Sequence, residues 1–419
     1  MNKEERDNRL SELRSQYDLY KSRPFELSVA RGIPSKKQLA LSEALINDVD
    51  VNEFLSEDEI DIRNYGGLYG IKEARDLFGS LMNTSLEETF VGGNSSLQLM
   101  YAVLNHFMYT SKQPWSKEDT VKFLCPSPGY DRHWFMLDHL GIEMIPVPLT
   151  GQGPDMDTVE ELASSDPSIK GIFIVPTYNN PTGETISDEA VDRLAKMNTA
   201  YEDFIILWDN AYVVHHFNEV KEEAKNILEA SKEAGFPNRP IQFVSTSKMT
   251  LPGAGVAAIG TSEDRLKELA KTFSKQLISF DKINQKRHVN FLKDKETIEE
   301  HMEKHAELLA PKFEWIDAIF SAFFGGDRGE FVEWTKPNGG YFVHLTNQDN
   351  CATAIVSKMK EIGIQLTEAN AAYPYGNNPR DNSIRIAPSN VSLDNLEIIL
   401  EALCVCIELV TLEKQEESD

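Results

Sequence analysis

From about residue 90 onward, short apolar runs alternate with longer polar stretches of helical periodicity. The runs cover 121–125, 144–147, 171–176, 204–209, 241–245 and 256–260. Each is too short for a helix and apolar at consecutive positions, the pattern of a strand buried on both faces. Such strands make a parallel or mostly parallel sheet with helices on both faces, which predicts a large α/β domain over residues 46–290. Beyond it the texture changes. A long charged helical stretch begins near residue 281, followed by a strand over 340–345, a helix over 352–362, a strand over 383–387 and a helix from 393. That mixture predicts a smaller α+β domain, formed from residues 1–45 and 291–419. Leu10, Leu13, Tyr17 and Tyr20 recur at helical spacing, so the chain opens on an amphipathic helix, which Gly32 and Pro34 then break off. The polar tail 413–419 is expected to fray.

At roughly 100–200 residues per domain, 419 residues fit this division, and 41% hydrophobic residues supply a sizeable core. The net charge of −25 and pI near 4.8 repel phosphate backbones and argue against a nucleic-acid partner. They leave small substrates open, because a local cationic pocket fits inside an acidic protein. Four cysteines are too few and too scattered for a disulfide framework. Cys404 and Cys406 stand two apart on a predicted helix and point away from each other, so packing is expected there and no metal. The charged start Met1–Arg6 leads into no apolar signal region, and no run approaches the ~18 residues of a membrane span. A cytoplasmic protein without a membrane partner is expected.

Candidate chemistry gathers just past the predicted strands. Ser245-Thr246-Ser247-Lys248 follows one of them and leads into Pro252-Gly253-Ala254-Gly255-Val256. A lysine there sits at a sheet edge, where ligands bind in open α/β folds, and partial burial would lower its pKa as imine formation requires. Hydroxyls beside it suit a phosphate. Asp209 ends the run 204–209; a carboxylate at a buried strand end needs a cationic partner, and a protonated pyridine nitrogen would serve. Tyr212 follows it and can hydrogen-bond a phenolate oxygen on the same ring, and Asn180 in Asn179-Asn180-Pro181-Thr182-Gly183 offers a second donor. Gly92-Gly93-Asn94-Ser95-Ser96 opens a helical stripe, and a glycine-rich turn at a helix start is a phosphate cradle. Tyr130 could stack on a planar ring, and Arg385, in an apolar strand, needs an anion such as a substrate carboxylate. Taken singly, each segment also reads as ordinary structure: a surface lysine by a turn, a helix cap, a core tyrosine or a structural ion pair.

In this order and spacing the segments resemble the fold-type-I pyridoxal-phosphate-dependent aminotransferases of class I/II, closest to a bacterial subgroup of aspartate aminotransferases. The resemblance runs from about Arg31 to Pro388. It is carried by Ala30-Arg31-Gly32-Ile33-Pro34, Gly93-Asn94-Ser95-Ser96-Leu97, Ser127-Pro128-Gly129-Tyr130-Asp131-Arg132-His133, Ser247-Lys248, Asp281-Lys282-Ile283-Asn284-Gln285, Tyr373-Pro374-Tyr375-Gly376 and Ile384-Arg385-Ile386-Ala387-Pro388-Ser389. It implies a mostly parallel sheet of the seven-stranded type. It also implies that Lys248 holds pyridoxal 5′-phosphate as a Schiff base and then shuttles the proton of substrate Cα. Asp209 would pair with the pyridinium nitrogen, Asn180 and Tyr212 would bond the phenolate oxygen, and Tyr130 would stack on the ring. Asn94, Ser95, Ser96 and Ser245, with Ser247 beside them, would hold the phosphate, and Arg385 the α-carboxylate. Tyr65, in Asn64-Tyr65-Gly66-Gly67, resembles the tyrosine that reaches the neighbouring subunit's phosphate, which implies a homodimer with shared active sites. One departure stands out: the family's phosphate-binding arginine, eight residues after the lysine, is Val256 here.

The implied reaction moves an amino group from an L-amino acid, aspartate first, to a 2-oxo acid, 2-oxoglutarate first, by a ping-pong route. A dicarboxylic substrate needs a second cation, for which Lys282, Arg287 and Arg31, beside the Gly32 turn, are the candidates. Alternatives are an aminotransferase of alanine or aromatic amino acids, a lyase or decarboxylase on the same fold, and a non-catalytic aminotransferase-like sensor. Against the sensor, only about thirty residues precede Arg31, too few for a winged helix. A nicotinamide enzyme lacks its G-x-G-x-x-G turn.

Overall fold

The computed structural model describes residues 3–23, 25–48, 53–325 and 330–418. A two-residue strand, β1 (Leu27–Ser28), precedes the main sheet. That sheet comprises β2 (Thr89–Val91), β3 (Lys122–Ser127), β4 (Glu143–Pro148), β5 (Ile169–Ile174), β6 (Ile205–Asp209), β7 (Pro240–Ser245) and β8 (Ala257–Thr261). Their spatial order is β2-β8-β7-β6-β5-β3-β4. All neighbours pair in parallel except at β8, which runs against both β2 and β7. The fold is thus the α/β class with a mostly parallel seven-stranded sheet. β3 to β8 fall on the predicted runs, and β2, three residues long, is too short to carry a pattern.

Side chains alternate between the two faces of a strand, and here both faces are apolar. Phe123, Phe173, Leu207, Phe243 and Ile259 pack into one core with the helix Ser96–Asn105. Leu124, Ile172, Ile174, Ile206 and Trp208 pack into another beneath the helices Met156–Ser165 and Asp188–Lys196. Each such side chain stabilises the fold by about 1.5–3 kcal/mol. This double burial explains why the strands are continuously apolar in sequence.

The remaining strands are β9 (Val332–Trp334), β10 (Val343–Asn347), β11 (Ile364–Gln365) and β12 (Ser383–Ile386). β12, β10 and β9 form a second, antiparallel sheet, while β1 pairs in parallel with β11. Leu10, Leu13 and Tyr17 of the first helix, Lys3–Lys21, join a core with Leu400, Leu403 and Ile407 of the last, Leu393–Ser418. Arg9 clamps that contact, donating to buried Glu408 at 2.8 and 2.6 Å.

Three expectations need correction. The stretch from residue 281 is two helices, Lys282–Leu292 and Lys295–Phe324; Lys293 takes a positive φ and Asp294 caps the second. The strand expected over 340–345 begins only at Val343, because Gly339 and Gly340 are pressed against Tyr178 and Gly340 sits at φ +82°. The tail stays helical through Ser418, held by Arg14 to Glu413 and Glu416 at 3.3 Å each; Asp419 lies outside the described residues. All four cysteines are buried and unpaired. Among the described residues no helix is long and apolar enough to cross a membrane.

Candidate active site

The carboxyl ends of β3, β5, β6 and β7 open onto one crevice, the place where open α/β sheets bind ligands. Four loops leaving these ends carry Tyr130, Asn180, Tyr212 and Lys248, and Asp209 is the last residue of β6 itself. Arg385 comes from β12 of the other sheet, and its Nη1 donates to Asn180 Oδ1 at 3.1 Å.

Lys248 Nζ lies 5.1 Å from the centroid of the Tyr212 ring and 5.9 Å from that of Tyr341. Burial lowers the lysine's pKa, and the charge of Asp209 opposes that shift. A lysine so placed reaches the neutral, nucleophilic form more readily than a solvated one. Tyr212 is fully enclosed, and burial raises its pKa strongly, so its hydroxyl stays a donor. Burial pushes Tyr130 up to about 12, with Asp209 and Asp131 adding to the effect.

Asp209 is held by a residue that sequence reasoning gave no role. His133 Nε2 lies 2.9 Å from Asp209 Oδ2, and its ring stacks on Phe173 at 4.1 Å with an 8° interplanar angle. The other carboxylate oxygen, Oδ1, is buried with no hydrogen-bond partner among the described residues. The helix Asp131–His139 explains the arrangement: its first turn delivers Tyr130, Asp131 and His133 to one side. His133 stands three residues after Tyr130, the extended residue that caps this helix.

Arg385 Nη2 donates to Thr367 Oγ1 at 3.1 Å and to the Ala30 carbonyl at 3.3 Å. Asp131 Oδ1 stands 3.7 Å from Nη1, and Nε is buried without a partner among the described residues. The guanidinium also lies over Phe342, 4.8 Å from its ring centroid. Burial lowers its pKa and the charge of Asp131 opposes this, so a further anion would be welcome. Gly32 lines the same pocket: a Cβ there would come within 2.6 Å of Phe342.

Ser245 pairs with Ala257 across β7 and β8, and the backbones of Gly92 and Gly93 bond to Ala257 at 2.8 Å. The hydroxyls of Ser245 and Ser247, 3.2 Å apart, therefore neighbour the Gly93–Ser96 turn. Ser95 caps the helix Ser96–Asn105 in extended conformation without a side-chain capping bond, so its hydroxyl and the first N–H groups face outward. Asn94 is exposed on that turn. Val256 is buried among Val244, Met249 and Ala258 and brings no charge to the cup.

The candidate side-chain anchors differ in their surroundings, and Arg31 stands next to Ala30, whose carbonyl accepts from Arg385. Lys282 is buried and donates to the Asn64 carbonyl at 2.7 Å and to Ser279 Oγ at 3.1 Å. Arg287 lies on the same helix, its Nε buried without a partner among the described residues, and Arg31 is exposed. Tyr65 is 79% exposed.

Glu184 anchors the Asn180 loop: its Oε1 accepts from Gly153 N–H at 3.0 Å and its carbonyl from Asn179 N–H at 2.8 Å. Burial pushes its carboxyl from 4.5 up to about 7. The folded state therefore binds the proton more tightly than the unfolded one, and stability falls as pH rises from about 4.5 to about 7. Glu184→Gln has no such term. Its melting temperature relative to wild type is expected to rise between about pH 5 and about pH 8; a difference that does not change with pH would contradict this.

A half-buried lysine just past β7, an aspartate held by His133 and an arginine from the second sheet thus gather at the carboxyl ends of an α/β sheet, an arrangement that the comparisons match to the aminotransferases. The chain belongs to the aspartate amino-transferase family, whose model matches residues 1–419. A putative aminotransferase of Mycolicibacterium smegmatis is 41% identical to it, covering 95% of this chain and 94% of the relative. The crystal structure of an aspartate transaminase from Corynebacterium glutamicum superposes with a TM-score of 0.95 at 37% identity, over 99% of this chain and 98% of that one. The α-aminoadipate aminotransferase of Thermus thermophilus, complexed with N-(5′-phosphopyridoxyl)-L-leucine, shares the fold with a TM-score of 0.76 at 20% identity, over 92% of this chain and 93% of that one.

Proposed function

We propose that this aminotransferase uses pyridoxal 5′-phosphate to move the amino group of L-aspartate to a 2-oxo acid, 2-oxoglutarate first, in two half-reactions with ping-pong kinetics. The observation that carries the reading is Asp209 Oδ1, a buried carboxylate oxygen lacking a partner among the described residues, at the strand end beside the loops of Lys248 and Tyr212. A protonated pyridine nitrogen fits that oxygen. Tyr212 and the amide nitrogen of Asn180 fit a phenolate, since Asn180 Oδ1 is already engaged by Arg385. The Gly93–Ser96 turn with Ser245 and Ser247 fits a phosphate. When bound, the cofactor supplies an electron sink for a carbanion at substrate Cα. Lys248 Nζ would hold the cofactor and, once free, would take the proton from substrate Cα and deliver it to the cofactor's C4′. Tyr130 covers the ring, and Arg385 fixes the α-carboxylate so that the Cα–H bond faces the lysine.

Lys282, Arg287 and Arg31 remain the proposed contacts for a second carboxylate, delivered within a homodimer in which exposed Tyr65 reaches the partner's phosphate. A large body of residues 46–290 and a smaller one of 1–45 and 291–419 belong to the same reading. The buried, unpaired cysteines suit the reducing cytoplasm.

A half-reaction panel tests the proposal: purified, cofactor-loaded protein is mixed with single amino acids and its visible spectrum followed. Aspartate and glutamate should convert the spectrum at lower concentrations than alanine or phenylalanine. Arg385→Ala should raise the concentration required by on the order of a hundredfold, as expected for loss of a buried ionic contact. Conversion by alanine alone, or an unaltered requirement in Arg385→Ala, would remove aspartate or Arg385 from the scheme.

A further inference from the structure

His215 follows Tyr212 by three residues and is fully buried. Its ring nitrogens, Nδ1 and Nε2, are both closed off from solvent and make no formed hydrogen bond among the described residues. Two unsatisfied polar atoms make imidazole a poor lining for an apolar wall, where a phenyl ring of similar shape would carry no such penalty. The position of the ring suggests why it is there. It stands edge-on to Tyr212 and Tyr341, with centroids 5.6 and 5.7 Å away. The same two tyrosines flank Lys248 Nζ at 5.1 and 5.9 Å, so amine and imidazole share one aromatic cell. Backbone bonds pin His215 in place: its N–H donates to the Tyr212 carbonyl at 3.1 Å, and its carbonyl accepts from Gly340 N–H at 2.9 Å. Tyr341 is fixed in turn, its hydroxyl accepting from Gln38 Nε2 at 2.8 Å.

We propose that His215 is a positioning residue for Lys248: a ring nitrogen accepts a hydrogen bond from the ε-amino group once substrate has released it, and keeps that group aimed at substrate Cα. This rests on the assignment of Lys248 given above. A released amine on a four-carbon stem samples many orientations, and a fixed acceptor restricts them. The groups facing the ring are Lys248 after β7, His305 from the helix Lys295–Phe324, the adjacent His216, and the hydroxyl-bearing rings of Tyr212 and Tyr341. Burial first, then the nearby Lys248 amine, favour the neutral, accepting form of the imidazole, and a contact with the Lys248 backbone acts the other way.

The test is His215→Phe in cofactor-loaded protein, with His215→Asn and His215→Gln alongside. In the phenylalanine variant kcat should fall ten- to a hundredfold, on the order expected for a misdirected base, while KM moves less than about twofold. The pH at which the visible band titrates should shift, and the melting temperature should not drop. One of the two amides, which mimic Nδ1 and Nε2 respectively, should recover part of kcat. Borohydride reduction of every sample reports whether Lys248 carries the cofactor. A labelled Lys248 with unchanged kcat and unchanged titration in His215→Phe would overturn the role of His215 and leave that of the lysine standing. So would a kcat loss that tracks a lowered melting temperature and is recovered by neither amide. If wild-type Lys248 is not labelled, both assignments fall together.

Discussion

Replacing Lys248 with alanine is expected to lower kcat by on the order of a millionfold, the scale seen when an acting nucleophile is deleted. The visible absorbance of the loaded protein and the borohydride-stable adduct should vanish with it. The size of the effect follows from the two roles proposed for one atom, covalent attachment and proton transfer at Cα. The fold should survive, because Lys248 makes no ion pair among the described residues and its neighbours Thr246 and Thr250 bond to each other at 3.1 Å. Substantial transamination by folded Lys248→Ala would refute the assignment.

The second large effect is expected at Asp209. Asp209→Asn keeps the size of the side chain and can keep a contact to His133, but it removes the negative charge opposite a ring cation. Breaking a buried charge pair typically costs about 3–5 kcal/mol, which corresponds to a kcat lower by roughly a hundred- to several-thousandfold. Cofactor dissociation, followed by dialysis and absorbance, should accelerate as well. Asp209→Glu separates charge from placement: partial recovery supports an electrostatic role, and none points to strict geometry. Full activity in Asp209→Asn would exclude any need for a charged partner at that position.

Much of this was legible in the chain because β3 to β8 are buried on both faces, which leaves runs of consecutive apolar residues separated by helix-length polar stretches. Lys248, Asp209, Asn180 and Tyr130 could be picked out since each lies at or just past such a run. What stayed hidden depended on contacts across the fold. His133 was in view as a residue, yet its bond to Asp209 joins the first turn of a helix to a strand end 76 positions away. Asp131 beside Arg385, and His215 between Tyr212 and Tyr341, arise only when the second sheet closes on the first. β9 alternates about an exposed central Glu333, but three residues are too few for that pattern to announce a strand. Val256 was visible as a departure, and its burial in an apolar cluster gives the reason an arginine would not fit there.

Arg385 belongs to the antiparallel sheet, whereas Lys248 and Asp209 hang from the parallel one, and each sheet is packed around apolar residues of its own. An amino acid held at both ends therefore acts as a strut between two separately supported walls. Because every α-amino acid sets its carboxylate and amino group at the same separation, the proposed strut would hold the two walls at one spacing whatever side chain the substrate carries.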